Sequence, residues 1–398
     1  MVDIRIRIVG LLIAAIIVAL AARRLRLPYT VGLVIAGVGL AMARLQTGAL
    51  LTHDLIFDLI LPPLLFEAAL CIDWHELRRD FALVLTLATL GVVLSALVVA
   101  AGMVRLLGWP LEAAAAFGVL IAATDPVSVI ALFKDLGIGG RVRFLVECES
   151  LLNDGVAAVL FTLVLAWAQA GATPTAAHSA LSFARVVGGG IAVGLGSGLA
   201  AILVAGRTDD HLVETALTGV AAYESFYLAE YLHFSGVLAT LCAGLAMGNL
   251  GLLRADDRSL LSVQGRAAVE GLWEFAAFLA NSLVFLLIGL AVADIPLVRL
   301  GPTVFATIIG LVLVARAVTV YPLCGLFRWS RMAVPMAEQH VLWWGGLRGA
   351  LALALALALP PDMPRHGDIL IATFGVVVFS VVIQGLTMPA LLRWLALR

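Results

Sequence analysis

The stretch that decides the fold is AAAAFGVLIAATDPVSVIALF, residues 113–133. It meets the requirement of about 20 apolar residues for a transmembrane helix, and Asp125 is its only charged residue. Thr124-Asp125-Pro126 interrupts it near the middle. Pro126 has no amide hydrogen, so the carbonyl of Ala122 loses its helical partner, and the residue before proline is pushed out of the α region. Asp125 is then a natural N-cap and Pro126 a natural first helical residue. The spacing predicts a helix that stops near Thr124 and restarts at Pro126, exposing carbonyls and a helix N-terminus at mid-membrane depth. Irregular backbone at that depth is tolerated only against protein or a wet cavity. A plain proline kink is the bland alternative.

A second apolar run, 337–359, is broken in the same way at Gly345-Gly346-Leu347-Arg348-Gly349. Paired interrupted helices in corresponding places of two halves are the best sequence pointer to a transporter site at the midplane. The rest of the chain fits a membrane setting. Of 398 residues, 63% are hydrophobic and 13% charged, with mean hydropathy +1.09, whereas soluble domains run at about 45–50% apolar and 25% charged. Apolar runs of spanning length fall near 6–22, 28–45, 55–72, 81–104, 113–133, 144–169, 181–205, 212–232, 235–251, 268–293, 302–325, 337–359 and 368–396. Thirteen spans consume nearly the whole length, leaving no sizeable soluble domain.

Orientation follows from the basic residues. With the N-terminus outside, the inside loops hold 16 of the 25 Lys and Arg and the outside loops 7, the other two being Arg316 and Arg348 within spans. Such an excess predicts a cytoplasmic C-terminus. Ala19-Leu20-Ala21 resembles a signal-peptide cleavage site, but Arg23, Arg24 and Arg26 follow at once, so the first span is read as retained.

Several function classes drop out. The only lysine, Lys134, sits in Phe-Lys-Asp and not in a phosphate-binding loop, which excludes a Walker-type ATP-driven pump. The cysteines at 71, 148, 242 and 324 form no Cys-x-x-Cys pair, so no zinc or redox motif is written. A net charge of −1 without a basic tail gives no reason to expect nucleic acid. Intramembrane protease motifs are absent, since His75-Glu76 continues Leu-Arg-Arg and Gly196-Ser197-Gly198 has the wrong spacing. No cofactor is expected.

A charged group in the bilayer core costs at least about 2.5–3.5 kcal/mol on insertion scales, which makes it a functional candidate. The deep ones are Glu67, Asp125, Glu149, Asp154, Glu224, Arg316 and Arg348. In Glu149-Ser-Leu-Leu-Asn-Asp154 the pairs Glu149/Asn153 and Ser150/Asp154 are i,i+4 and so form two adjacent polar stripes on one helix. Ser150, Asp154 and a loosened carbonyl at Thr124 are hard oxygen donors, suited to an alkali cation and not to a transition metal. A solvated helix start is the competing reading. Arg348 keeps its proton and needs an acid partner, for which Glu149 is the expectation. Gly346 and Gly349 beside it would let another backbone approach.

Together Ala-Thr-Asp-Pro-Val (123–127), Glu-Ser-Leu-Leu-Asn-Asp-Gly (149–155), Ser-Gly-Val-Leu-Ala (235–239) and Gly-Gly-Leu-Arg-Gly-Ala (345–350) resemble the monovalent cation:proton antiporter family. The match is to its sodium/proton branch with an Asn-Asp pair. The resemblance implies an all-α membrane protein of about thirteen transmembrane helices, with inverted repeats and two unwound crossing helices. It implies a dimerisation scaffold (1–80 and 173–300) and a transport core (81–172 and 301–398) that moves as an elevator. It further implies a homodimer in a prokaryotic plasma membrane, in contact with lipid, exchanging Na⁺ or Li⁺ for H⁺. Residue by residue, Asp154 becomes the shared ion and proton site with Asn153 beside it. Thr124 and Ser150 become cation ligands, and Glu67 an acid that reaches the ion. Asp125 belongs to the crossing, Glu149 with Arg348 forms the structural pair, and Arg316 is a second core arginine. Glu224 matches no acid of the family.

Weaker signals remain. Glu270 and Glu274 are i,i+4 at a helix start, where a solvated end is the simpler reading, and histidines 53, 75, 178, 211 and 366 lie in loops. Tryptophans 74, 109, 329 and 394 suit interfacial anchors. The nearest alternative is K⁺/H⁺ exchange on the same fold, since ligand chemistry barely separates the two ions. A cation channel would need a continuous polar pore, and here the polar residues cluster at one level.

Overall fold

The computed structural model describes residues 28–43, 51–170, 175–208, 210–252, 262–294 and 297–396, with further helical positions between 10 and 24. Part of the first expected span (6–22) and all of 171–174 and 253–261 lie outside the described residues. Every described element is helical or a turn, as the need to satisfy backbone hydrogen bonds within lipid requires of apolar runs.

The chain divides into two compact units, the first made of residues 1–57, 82–153 and 281–398 and the second of 58–81 and 154–280. In chain order the helices are α1 (Tyr29–Met42), α2 (Leu61–Leu70), α3 (Trp74–Leu107), α4 (Leu111–Leu120), α5 (Val127–Leu136) and α6 (Arg141–Ala170). There follow α7 (Ala176–Ala205), α8 (His211–Tyr231), α9 (Gly236–Met247), α10 (Val263–Asp294) and α11 (Pro302–Leu326). The last four are α12 (Met336–Trp344), α13 (Ala350–Leu357), α14 (His366–Phe379) and α15 (Gly385–Trp394). From residue 28 onward each expected apolar run holds helix. Six stretches among the described residues are continuous helix long and apolar enough to cross a membrane; the other runs are shorter helices or broken pairs.

The two breaks fall where proline and glycine put them. α4 ends at Leu120 and α5 begins at Val127, while α12 ends at Trp344 and α13 begins at Ala350. The first helix stops at Leu120, four residues before the expected Thr124, and the restart at Val127 is one residue later than expected, with Pro126 in the cap position at φ −83° and ψ −11°. Three wide π turns, Leu55–Ile60, Gly248–Leu252 and Ser380–Gln384, were not legible in the sequence. Apolar periodicity hardly distinguishes an added residue per turn, although such turns often mark functional sites.

Small residues set the packing within each unit. In the first, Gly37 of α1 and Gly289 of α10 face each other: a Cβ at Gly37 would lie 2.3 Å from the Leu286 carbonyl oxygen. In the second, Gly194 of α7 lies so close to α9 that a Cβ would come within 2.1 Å of the Ala239 oxygen. Helices in lipid gain little hydrophobic drive from each other, so such close backbone approach supplies the contact. The second unit also buries Phe66 against Trp273, ring centroids 4.6 Å apart, and Trp273 Nε1 donates to Thr218 Oγ1 at 2.8 Å. That bond satisfies the one polar atom the indole brings inside.

Candidate ion-binding site

The site is built on the first break. Where α4 stops, the backbone of Ala122, Ala123 and Thr124 has left the helical ladder, and α6 takes up the released groups. Asn153 Nδ2 lies 3.3 Å from the Ala122 oxygen, 3.2 Å from Thr124 Oγ1 and 3.4 Å from Glu149 Oε1. Thr124 Oγ1 donates to Ser150 Oγ at 3.0 Å, and Ser150 Oγ donates in turn to the Thr124 carbonyl. Thr124, Ser150 and Asn153 are all buried. Asn153 Oδ1 is also buried, and no hydrogen bond reaches it among the described residues. With its amide nitrogen committed to the break, this side chain presents a bare carbonyl oxygen, a hard donor of the kind an alkali cation takes.

Asp125 ties the two breaks together. Its backbone N–H donates to the Leu347 oxygen at 2.8 Å. Its carboxylate accepts from Val127 N at 2.9 Å and from Ala350 N, the first amides of α5 and α13. One negative charge thus caps two half-helix N-termini, where the helix dipoles favour it. Gly349 is required for this: a Cβ there would lie 1.8 Å from Asp125 Oδ2.

The arginines correct the expected pairing. Glu149 is held by Arg316 of α11, with Nη1 to Oε1 and Nη2 to Oε2 both at 2.8 Å. Arg316 also donates to the Leu342 carbonyl from Nε (3.3 Å) and Nη2 (3.1 Å). Among the described residues Arg348 makes no ion pair with Glu149. It is 1% exposed, its Nη1 donates to the Gly346 carbonyl, and its Nε has no hydrogen-bond partner. It acts on Glu149 only as a more distant charge. The physical reason is placement: Arg316 stands on a regular helix aimed at α6, while Arg348 lies in the break and turns back onto it. Arg348 brings positive charge to the carbonyl-rich end of α12, the counterpart of Asp125 at the amide-rich ends. The glycines also work differently from expectation. They admit side chains, not a backbone, since a Cβ at Gly346 would lie 2.6 Å from Arg316 Nε.

The structure therefore brings together Thr124, Asp125, Glu149, Ser150, Asn153, Arg316 and Arg348. Asp154 follows Asn153 on α6, is partly buried, and begins the part of that helix assigned to the second unit. Glu67, also partly buried, lies on α2 in the same second unit. Glu224 is exposed on α8 and lines a pocket of about 450 Å³ with Ser197 and Leu217. Glu270 and Glu274 are exposed on α10.

Sequence reasoning missed Ser380 and Gln384. Arg348 N donates to Ser380 Oγ at 3.0 Å, and Gln384 Nε2 donates to the Trp344 carbonyl at 3.0 Å. Two polar residues four apart inside the apolar run 368–396 were the available signal.

Two broken helices crossed at a shared carboxylate, with buried charges and oxygen donors around them, define a membrane transporter and not an enzyme. The profile described as "sodium/hydrogen exchanger, transmembrane" matches residues 10–394, and the chain belongs to that family. It is 40% identical over 373 residues to the Na⁺/H⁺ antiporter ApNhaP of Aphanothece halophytica, covering 94% of this chain and 70% of that protein. To the Na⁺/H⁺ antiporter NhaH of Halobacillus aidingensis it is 34% identical over 414 residues, covering 99% and 98%. Among solved structures, the sodium proton antiporter MjNhaP1 from Methanocaldococcus jannaschii shares its fold, with TM-score 0.78 at 21% identity over 97% of this chain and 98% of that one.

Proposed function

We propose that this protein is a secondary antiporter exchanging Na⁺, or Li⁺, for H⁺, with Asp154 as the carboxylate that both ions use in turn. An ionised carboxylate in a low-dielectric interior needs a counter-charge, and a proton or a bound cation supplies it equally well. Thr124, Ser150 and Asn153 add neutral oxygens from the first break. The observation that carries the reading is the state of Asn153: its amide nitrogen is spent on the break, and its buried Oδ1 is left to face a cation.

The exchange is one cation for one proton. Asn153 is neutral, and Glu149 is committed to Arg316 in a bidentate pair, which leaves Asp154 as the group that cycles. Residues 81–172 and 301–398 form the moving transport core, against a dimerising scaffold of 1–80 and 173–300. The protein works as a lipid-embedded homodimer in a prokaryotic plasma membrane, N-terminus outside and C-terminus in the cytoplasm. Names of the relatives favour Na⁺ over K⁺.

The test is reconstitution into proteoliposomes carrying a pH-sensitive dye, with Na⁺, Li⁺ and K⁺ pulses compared. Na⁺ and Li⁺ should dissipate an imposed pH gradient, and Asp154→Asn should abolish the response while the protein still purifies as a folded dimer. Substantial exchange by Asp154→Asn, or a response to K⁺ alone, would defeat the proposal.

A further inference from the structure

The backbone groups of the first break are met by Ser150 and Asn153 on α6, the helix after the restart. The second break has its own attendants, which nothing above uses in transport. α14 and α15 are joined through the π turn Ser380–Gln384, and the turn's two polar residues both face the second break. Ser380 Oγ accepts from Arg348 N at 3.0 Å and lies 3.3 Å from the Arg348 oxygen. Gln384 Nε2 donates to the carbonyl of Trp344, the last residue of α12, at 3.0 Å. Thr387, three residues on, accepts from Trp344 Nε1 at 2.9 Å. Ser380 and Gln384 are both buried.

We propose that Ser380 and Gln384 are positioning residues for ion exchange, a latch that holds the second break in register with the first. The chain order supports this. Helix, break, helix, then a long helix carrying a serine and an amide occurs twice: Ser150 with Asn153 on α6, Ser380 with Gln384 on the α14–α15 span. The two arms differ in one respect. Asn153 is followed by Asp154, while Gln384 is followed by Gly385. The second arm thus carries no carboxylate at the corresponding place and has only the holding task. What it holds is Arg348 and, one residue before it, the Leu347 carbonyl that accepts from Asp125 N. Because Asp125 caps α5 as well as α13, slackening the second break loosens the restart of the first and, through it, the Thr124 donors. A regular α-helical turn would offset the 380 and 384 side chains differently along the axis; the added residue of the π turn sets their spacing against Arg348 and Trp344.

For its transport consequence this inference rests on the exchange reading, and the experiment separates the two. Amide hydrogen exchange by mass spectrometry is run on the purified full chain for wild type, Ser380→Ala, Ser380→Thr, Gln384→Leu and Gln384→Asn. Na⁺-dependent pH dissipation by the same proteins is measured in proteoliposomes. In Ser380→Ala and Gln384→Leu the amides of 345–350 should exchange at least about tenfold faster, and half-saturating Na⁺ should rise about three- to tenfold. Ser380→Thr, which keeps the hydroxyl, should restore both. Unchanged amide exchange at 345–350 would overturn the latch. Faster amide exchange with unmoved half-saturating Na⁺ and pH profile would overturn the positioning role and leave only a structural one. If Gln384→Leu does not fold, Gln384→Asn and the serine pair decide the matter. Should wild type itself show no Na⁺ response, the exchange reading fails while hydrogen exchange still decides the latch.

Discussion

Removing either member of the Glu149–Arg316 pair should strongly destabilise the protein, and the two losses should not add. The pair is buried, with side chains 2% and 7% exposed, and bidentate at 2.8 Å. Stranding one charge of a buried pair costs about 3–5 kcal/mol. The two halves are not equivalent. Without Arg316, Glu149 keeps only the 3.4 Å contact from Asn153, which puts Arg316→Gln near the top of that range. Without Glu149, Arg316 still donates to the Leu342 carbonyl from two nitrogens, which puts Glu149→Gln near the bottom. The double variant leaves no stranded charge, and its loss should fall short of the sum by about 2 kcal/mol or more, the scale of direct contacts. Reversible unfolding in SDS titrations, followed by tryptophan fluorescence, gives the three free energies. A parallel cycle with Arg348→Gln is the comparison: it acts on Glu149 only as a more distant charge, so its coupling to Glu149→Gln should be clearly smaller than that of Arg316→Gln. Additive losses at Arg316, or a larger coupling at Arg348, would refute the assignment.

Other outcomes follow from the same geometry. Exchange under a potassium–valinomycin potential of either sign should be unchanged; moving one net charge would couple turnover to voltage by about 2.3 kcal/mol per 100 mV, so a clear voltage dependence would point to a second titrating acid such as Glu67. Gly349→Ala drives a Cβ to 1.8 Å from the Asp125 carboxylate, whereas Gly367 has nothing within 4 Å; thermal melting should register overpacking of about 1–3 kcal/mol at the first and far less at the second. Thr124→Val with Ser150→Ala removes two hydroxyl donors and should raise half-saturating Na⁺ in proteoliposomes while leaving the Glu149–Arg316 cycle intact. Unchanged Na⁺ dependence would remove both residues from the ion's path.

The sequence by itself determined the features that are local along the chain. Hydropathy marks a membrane span wherever enough apolar residues run together. Pro126 and the glycines at 345, 346 and 349 stand beside buried charges inside apolar runs, so both interruptions were legible before any packing was known, the first restart to within one residue and its stop to within four. The i,i+4 spacing likewise placed Ser150 with Asp154 on one stripe of α6. What tertiary structure alone decided is which helix stands next to which. Glu149 and Arg316 are 167 residues apart, and no periodicity distinguishes Arg316 from Arg348 as the partner. The same holds for Gly346 and Gly349, which make room for Arg316 and Asp125, and for Asp125, whose carboxylate caps α13 as well as its own α5. Ser380 and Gln384 show the limit most clearly: their partners are backbone groups freed by a break in another span. A polar pair in an apolar helix announces that it needs partners, but the three-dimensional path of the chain determines where those partners are.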